Sequence, residues 1–290
     1  MSLPPIEGSS TVGQVLSAAA QRLAKANVDA PRLVAEALLA HSLDLSRAQM
    51  LARLDQPLSP SHLASYRTCV DRCESGEPMA YVVGHREFYC LDFVVDPRVL
   101  IPRPETELLV ETAIEIACAR SGPLEITDVG TGSGAIAVAL AVHLPAARII
   151  ATDISPDAIE VARENARRHS VADRIAFEVG DLLAPLAGPV DLICANLPYV
   201  RSREWSYLAQ SILRHEPRLA FNGGPDGLDL VQRLLIDAPR VILPGGSIVV
   251  EIGGAHGEAA LELARDAFPS AHSLIKTDYA GLDRLLVIQT

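Results

Sequence analysis

The stretch EITDVGTGSGAIAVAL, residues 125–140, predicts a buried strand that runs through a glycine-rich turn into a helix. Its glycines allow a ligand to approach the backbone at the start of the helix, where free N–H groups point outward. The turn also satisfies the dinucleotide pattern G-x-G-x-x-G/A, and the alternative is a tight turn without a ligand. The predicted ligand-binding residues of the turn are Asp128, Gly130, Thr131, Gly132, Ser133 and Gly134.

Seven apolar or β-branched segments that alternate with helical segments predict an α/β sheet around this turn. Only residues 278–283 separate the last two segments, so the final strand should run antiparallel to the one before it. A parallel sheet closed by one antiparallel hairpin resembles the class I, Rossmann-like methyltransferase fold. The predicted strands are residues 125–129, 148–153, 175–179, 191–195, 247–252, 272–277 and 284–289.

The region before the sheet carries two other patterns. Over residues 11–75 apolar positions recur at helical spacing, which predicts three or four helices in a small domain. Between residues 78 and 102 the pattern becomes alternating and rich in aromatic and β-branched residues. We predict a hairpin there, with strands at 81–83 and 88–95. A helix over about residues 106–120 should then lead into the sheet.

Composition restricts the class of protein. With 49% hydrophobic and 21% charged residues, the 290-residue chain should fold as a globular enzyme with one large and one small domain. Its net charge of −11 disfavours a broad basic surface for nucleic acid and suits a basic protein partner. The sequence shows neither signal-peptide features nor an apolar run long enough for a membrane span, so we expect no membrane anchor.

The cysteines predict a reducing environment. Their number, five, is odd, they form no CxxC pair, and most lie among apolar residues, which favours free thiols and a cytoplasmic location. Cys69 and Cys73 share a helix face without further ligands nearby in sequence, so we expect core thiols rather than a zinc site. His85 and His215 have no evident serine or cysteine partner, which disfavours hydrolase chemistry.

Two acidic residues at strand ends discriminate between cofactors. Asp153, which ends the second strand, is the expected partner of two ribose hydroxyls in NAD or S-adenosylmethionine, unless it only caps the next helix. Asp181 follows the third strand, where a methyltransferase places an acid that accepts a hydrogen bond from the adenine amino group. Leu182 would then cover the ring. A dehydrogenase has no general need for Asp181, whose alternative is a surface turn, so S-adenosylmethionine is favoured.

The fourth strand runs into Asn196-Leu197-Pro198-Tyr199, at the sheet edge where open α/β folds bind ligands. This tetrapeptide resembles the (D/N/S)-P-P-(Y/F/W) motif of methyltransferases that act on planar nitrogens, either base amines or glutamine amides. An amide nitrogen has a delocalised lone pair, so it must be oriented and polarised. The Asn196 side-chain oxygen and the Leu197 carbonyl can accept its hydrogens, and Tyr199 can pack on the amide plane. Leu197 replaces the usual first proline, but a backbone carbonyl remains available, and no metal is needed.

Residues 77–88 and 99–107 closely resemble the peptide chain release factor glutamine methyltransferases, also called the PrmC or HemK family. Residues 223–228, 251–253 and 276–284 also look like that family, so the resemblance covers nearly the whole chain. It implies methylation, with S-adenosylmethionine, of the side-chain nitrogen N5 of the glutamine in the Gly-Gly-Gln loop of class-1 release factors. These proteins act in translation termination.

The resemblance also implies a domain organisation and a partner. We predict a helical substrate-recognition domain over residues 1–76, a hairpin linker over 77–102 and a methyltransferase domain over 103–290. Class-1 release factors would be the substrates of a monomeric enzyme that forms no stable complex with nucleic acid. Two roles, an ion-paired helix start and a direct place in the site, remain open for Arg103, Glu105 and Glu107.

Two other functions remain as alternatives. A DNA or RNA adenine methyltransferase would use the same tetrapeptide together with a basic target-recognition domain, which the net charge of −11 argues against. A non-catalytic protein that only binds S-adenosylmethionine would not need Asn196 and Tyr199. A methyl-transfer assay separates the second alternative from an enzyme.

Overall fold

The computed structural model describes residues 10–207 and 209–290, whose contacts divide them into two units. One unit contains the chain through Gly84 together with Ala209–His215, and the other contains the remaining residues. In chain order the elements are α1 (Val12–Lys25), α2 (Pro31–Leu43), α3 (Arg47–Leu51), α4 (Pro60–Glu74), α5 (Met79–Val83), β1 (His85–Phe88), β2 (Leu91–Val94), α6 (Glu107–Cys118), β3 (Glu125–Val129), α7 (Ala135–His143), β4 (Arg148–Asp153), α8 (Pro156–Arg168), β5 (Ile175–Val179), β6 (Val190–Asn196), α9 (Gln210–His215), α10 (Asp229–Asp237), β7 (Ile242–Glu251), α11 (Gly257–Ala267), β8 (His272–Thr277) and β9 (Asp283–Gln289).

The first unit consists of α1 to α5 with α9, and the helices predicted over residues 11–75 are confirmed. A capping box starts α1, where Thr11 and Gln14 exchange side-chain to backbone hydrogen bonds. The apolar side chains of α1 to α5 form one buried cluster. Cys69 and Cys73 lie within it, and burial raises the pKa of the Cys73 thiol to about 12. Both thiols therefore contribute to packing.

The strand predicted at residues 81–83 is wrong. These residues belong to the short helix α5, which begins after Pro78 and ends at Gly84, where φ is +80°. Burial of Tyr81 and Val82 explains the apolar run, because a buried helical turn and a buried strand have the same composition. The predicted hairpin is formed instead by β1 and β2, and the helical unit extends past residue 76 to Gly84.

The second unit is built on a seven-stranded sheet with strand order β5-β4-β3-β6-β7-β9-β8. Strand β9 pairs antiparallel with both β7 and β8, whereas β3 to β7 pair parallel, so the predicted class I methyltransferase sheet is confirmed. Strand β6 shows how the sheet is packed. Leu192 and Cys194 enter one buried cluster and Ile193 and Ala195 enter another, so both faces are covered.

Strands β3 to β7 end at the same edge of the sheet because they run parallel. The glycine-rich turn, Asp153 and Asn196 lie where β3, β4 and β6 end. This edge is where open α/β sheets bind their ligands. Within the described ranges, none of the helices combines the length and the apolar character that a bilayer span requires.

Candidate active site

The glycine-rich turn between β3 and α7 leaves room for a ligand. Gly130, Gly132 and Gly134 have φ values of +73°, +55° and +80°, a backbone region that disfavours side chains. A Cβ atom at Gly132 would meet no described atom within 4 Å, whereas one at Gly134 would lie 3.0 Å from the Cβ atom of Ala162 on α8. Gly134 thus allows close packing of α7 on α8, and Gly132 faces open space that suits a bound nucleoside.

Two carboxyl groups hold this turn. Asp153 accepts hydrogen bonds from the Gly132 N–H and the Ser155 N–H, both at 2.9 Å. Asp128 is completely buried and accepts from the Thr131 hydroxyl at 2.6 Å and from the Ala137 N–H at 3.1 Å. Burial raises the pKa of both groups, to about 7 for Asp128. Asp128 therefore supports the turn from within, while Asp153 stays partly accessible beside it.

Ser133, the remaining residue predicted in the turn, is also buried, and its carbonyl accepts a hydrogen bond from the Asn165 side chain at 2.9 Å. Asn165 in addition exchanges hydrogen bonds with the backbone of Val94 in β2. The turn is therefore anchored to α8 and, through it, to the hairpin. This rigid backing suits a preorganised ligand cradle.

Replacing Asp153 by alanine should weaken the binding of S-adenosylmethionine by about 1 to 3 kcal/mol, because charge-assisted hydrogen bonds to the ribose would be lost. Calorimetric titration measures this change. Asp173→Ala is a suitable control, since Asp173 is exposed and lies before β5 at the opposite edge of the sheet. Equal affinities of the wild type and the Asp153 variant would remove Asp153 from the cofactor site.

Asp181 and Leu182 follow β5, as predicted for an adenine site. The Gly180 N–H donates to the Asp153 carbonyl at 2.9 Å, which brings the ends of β4 and β5 together. Asp181 is half exposed and forms an ion pair with Arg233 of α10 at 2.5 Å. Leu182 is buried with φ +49°, and its carbonyl accepts from the Thr152 hydroxyl at 3.0 Å. The adenine contact of Asp181 stays a prediction and would compete with Arg233.

The tetrapeptide 196–199 starts at the last residue of β6. Asn196 lies in register with Glu251, the last residue of β7, and its side-chain nitrogen donates to the Thr106 hydroxyl at 3.0 Å. Leu197 is buried, and a Cβ atom at Gly130 would lie 3.3 Å from its Cδ2 atom. The leucine in the place of the usual proline therefore packs against the glycine-rich turn.

Glu251 and Thr106 contact the tetrapeptide and are candidate site residues that the sequence analysis does not identify. The Tyr199 hydroxyl donates to Glu251 Oε1 at 3.4 Å. Burial raises the pKa of the Glu251 carboxyl to about 7, although a hydrogen bond from Thr106 and the charge of Arg284 lower it. Burial likewise raises the pKa of the Tyr199 hydroxyl to about 12. The signal for Glu251 was available, because an acid that ends a central parallel strand lies at the ligand edge.

The loop that contains Gly223 and Gly227 packs closely against the backbone of the tetrapeptide. A Cβ atom at Gly223 would lie 2.7 Å from the Pro198 carbonyl oxygen and 2.8 Å from the Tyr199 Cα atom. One at Gly227 would clash with the Tyr199 carbonyl oxygen. The loop is fixed to the tetrapeptide segment through Val200, whose N–H donates to the Phe221 carbonyl and whose carbonyl accepts from the Gly223 N–H. These glycines allow two backbone segments to approach more closely than side chains would permit.

The three charged residues near the start of α6 have different surroundings. Arg103 forms an ion pair with the buried Glu216 at 2.5 Å. Glu107 accepts a hydrogen bond from the Tyr89 N–H at 2.9 Å, which supports the hairpin turn. Glu105 is exposed and lies close enough to Glu251 to raise its pKa. Arg103 is therefore ion-paired, but to a residue outside the helix start.

A cavity of about 350 Å³ borders Tyr199 on the side of the loop that follows β7. Arg201 lines it, pairing with Glu204 at 3.3 Å and donating to the Ala255 carbonyl at 3.3 Å. His256 is buried and lines the cavity, and burial lowers the pKa of its imidazole. The lining residues are Tyr199, Val200, Arg201, Glu204, Tyr207, Gly253, Gly254, Ala255 and His256.

Comparisons with known proteins give consistent results. Residues 14–84 match the model of the PrmC N-terminal domain, and residues 122–251 match a methyltransferase domain. The chain is 46% identical to the release factor glutamine methyltransferase of Moorella thermoacetica, over 94% of this chain and 96% of that protein. It is 39% identical to that of Nitratidesulfovibrio vulgaris, over 98% and 96%. A solved methyltransferase structure from Pyrococcus furiosus shares the fold, with 19% identity and a TM-score of 0.50 over 78% of this chain and 98% of its own.

Proposed function

Because the chain belongs to the release factor glutamine methyltransferase family, we propose that it methylates N5 of the glutamine in the Gly-Gly-Gln segment of class-1 peptide chain release factors. It is an S-adenosylmethionine-dependent methyltransferase. The observation that carries the proposal is similarity along almost the whole chain to relatives named for this activity. This similarity disfavours both the nucleic acid methyltransferase and the non-catalytic binding protein.

The cofactor residues we propose fit S-adenosylmethionine, which supplies a methyl group made electrophilic by its sulfonium. The open space at Gly132 accommodates a ligand beside the backbone. Asp153 would hold the ribose, since its carboxylate accepts backbone hydrogen bonds and still has a lone pair free for a ribose hydroxyl. Asp181 would accept from the adenine amino group and Leu182 would border the ring. Five further residues would shape the cradle: Asp128, Gly130, Thr131, Ser133 and Gly134.

The tetrapeptide performs the chemistry in this proposal. The Asn196 side-chain oxygen and the Leu197 carbonyl accept the two hydrogens of the substrate amide, which orients the nitrogen lone pair for in-line attack. Pro198 shapes the turn that presents the Leu197 carbonyl, and Tyr199 packs on the amide plane. Burial of the Leu197 side chain keeps water away from this edge. Asn196 would also border the cofactor, because it ends the strand beside β3.

A basic protein partner fits the charge of this enzyme. The net charge of −11 should attract such a partner over long range, so association should weaken as salt is added. The helical unit would contribute to substrate recognition, and the cavity beside Tyr199 is available for residues that flank the target glutamine.

All proposed catalytic and cofactor residues lie in the second unit of one chain, which suits a monomer. We infer that the reaction takes place in the cytoplasm, where translation terminates.

Incubation with radiolabelled S-adenosylmethionine tests this function. A release factor that carries Gly-Gly-Gln should accept one methyl group on that glutamine, located by peptide mass. Its Gln→Asn variant should accept none, because removing one methylene displaces the nitrogen by more than about 1 Å, which destroys alignment. The Gln→Ala variant and duplex DNA should accept none either, because neither contains the target amide. Label on adenine in nucleic acid, with none on the release factor, would establish the alternative activity instead.

A further inference from the structure

Four side chains, two of which belong to the tetrapeptide, form a polar network. The Asn196 side-chain nitrogen donates to the Thr106 hydroxyl at 3.0 Å. The Thr106 hydroxyl lies beside the Glu251 carboxyl group and lowers its pKa by hydrogen bonding, and Glu251 Oε1 accepts from the Tyr199 hydroxyl at 3.4 Å. Glu251 and Thr106 are buried, with 1% and 4% of their surfaces exposed. The network therefore links both polar side chains of the tetrapeptide to one enclosed acid.

The number of available protons fixes the direction of these hydrogen bonds. A threonine hydroxyl has a single proton, and an ionised carboxyl group can only accept. If Glu251 is ionised, the Thr106 proton points to Glu251, and the Thr106 oxygen can accept from Asn196. The Asn196 nitrogen is thereby engaged with Thr106, and the amide oxygen is left for another donor.

We propose that Glu251 is a positioning residue that acts through Thr106 to fix which end of the Asn196 amide faces the substrate. This inference rests on the proposed role of Asn196 as a hydrogen-bond acceptor. If the Asn196 amide were reversed, its NH₂ group would face the NH₂ group of the glutamine, and two donors cannot form a hydrogen bond. The network thus selects the catalytically useful orientation before the substrate binds.

A second observation supports a functional role for Glu251. Its Oε2 atom is buried, and among the described residues no group forms a hydrogen bond with it. Buried carboxyl oxygens are normally paired, because an unpaired polar atom in the interior costs about 1 to 3 kcal/mol. Such a group beside the tetrapeptide is better explained by its effect on Asn196 and Tyr199 than by stabilisation of the fold.

Protonation of Glu251 should reverse the direction of the network. The groups that face this carboxyl are Thr106, Tyr199, Arg284 of β9 and Glu105, and its pKa is raised to about 7 by burial. A protonated Glu251 can donate to Thr106, whose own proton can then bond the Asn196 oxygen. Since the useful ionised form is lost as the pH falls through about 7, kcat should fall on the acid side.

Three variants test the inference, with methylation of the release factor as the assay. Thr106→Val removes the hydroxyl and should lower kcat on the order of tenfold to a hundredfold, with little change in the KM for S-adenosylmethionine. Thr106→Ser keeps the hydroxyl and should retain most of the activity. Glu251→Gln cannot change charge, so its kcat should be lower and nearly constant between about pH 6 and 8, where the wild type declines on the acid side.

Matched controls identify purely structural effects. Thr127→Val removes another buried hydroxyl, which donates to the Ile150 carbonyl, and Asp191→Asn removes a charge at the opposite end of β6. Both controls should keep the wild-type kcat and its acid decline. Melting temperatures of all variants show whether they fold, and if Thr106→Val does not fold, the pH profile of Glu251→Gln decides.

The outcomes separate this inference from the proposed function. If the wild type does not label a release factor, the function itself fails, and if Asn196→Ala is fully active, the role of Asn196 fails. If both hold but Thr106→Val turns over like Thr127→Val, the inference is overturned. Persistence of the acid decline in Glu251→Gln would also overturn it and would point to Asp128, whose pKa burial likewise raises to about 7.

Discussion

Asn196→Ala should lower kcat on the order of a hundredfold or more while leaving the affinity for S-adenosylmethionine nearly unchanged. The side chain at the end of β6 bonds Thr106 rather than the glycine-rich turn, so its loss should leave the cofactor cradle intact. The substrate amide would lose one of its two acceptors and its alignment with the methyl group. Steady-state kinetics with a release factor and calorimetric titration with S-adenosylmethionine measure the two quantities separately.

Asn196→Asp is the matched variant, because aspartate retains an oxygen acceptor at the same position. It should lose less activity than the alanine variant. A near-normal turnover of Asn196→Ala would show that the residue has no part in the reaction. A parallel loss of cofactor affinity in both variants would instead place Asn196 mainly in the cofactor site.

Gly223→Ala should also reduce kcat by about a hundredfold, because misplacing reacting groups by about 1 Å has effects of this size. The added methyl group would lie 2.7 Å from the Pro198 carbonyl oxygen and 2.8 Å from the Tyr199 Cα atom, and both are backbone atoms that no rotamer change can move away. The tetrapeptide must therefore shift. Release factor methylation measures the loss, and thermal unfolding measures any accompanying change in stability.

Gly188→Ala provides the control for this substitution. A Cβ atom at Gly188 would meet no described atom within 4 Å, and Gly188 has no positive φ value. The control should therefore retain full activity. Wild-type kcat in Gly223→Ala would mean that the tetrapeptide tolerates displacement, and the close glycine contact would then be irrelevant to catalysis.

Most of the sheet could be predicted because burial on both faces leaves a clear signature. Strand β6 is apolar along most of its length and ends in a polar residue, and this composition indicates a central parallel strand. The run at Tyr81 to Val83 has a similar composition but forms α5. The difference depends on packing in the helical unit, where α5 contributes Val82 to the buried cluster. A short apolar run does not contain that information.

The candidate site could be predicted only where its residues follow strands in a recognisable order. Asn196 and Asp153 were found in this way, although their catalytic and binding roles stay predictions. Thr106 was missed because it lies 90 residues before its partner Asn196, and local sequence gives no sign of such a contact. Gly223 was recognised as family-like, but its closeness to Pro198 depends on the fold of two distant loops.

The helical unit is discontinuous in the chain, since it needs Ala209–His215 in addition to the residues through Gly84. During synthesis at about 5 to 20 residues per second, α9 leaves the ribosome on the order of ten seconds after α5. Strands β3 to β6 emerge within that interval. The helical unit therefore cannot be completed before much of the second unit has been synthesised, and a nascent chain that stops before residue 209 contains a helical unit without its last helix.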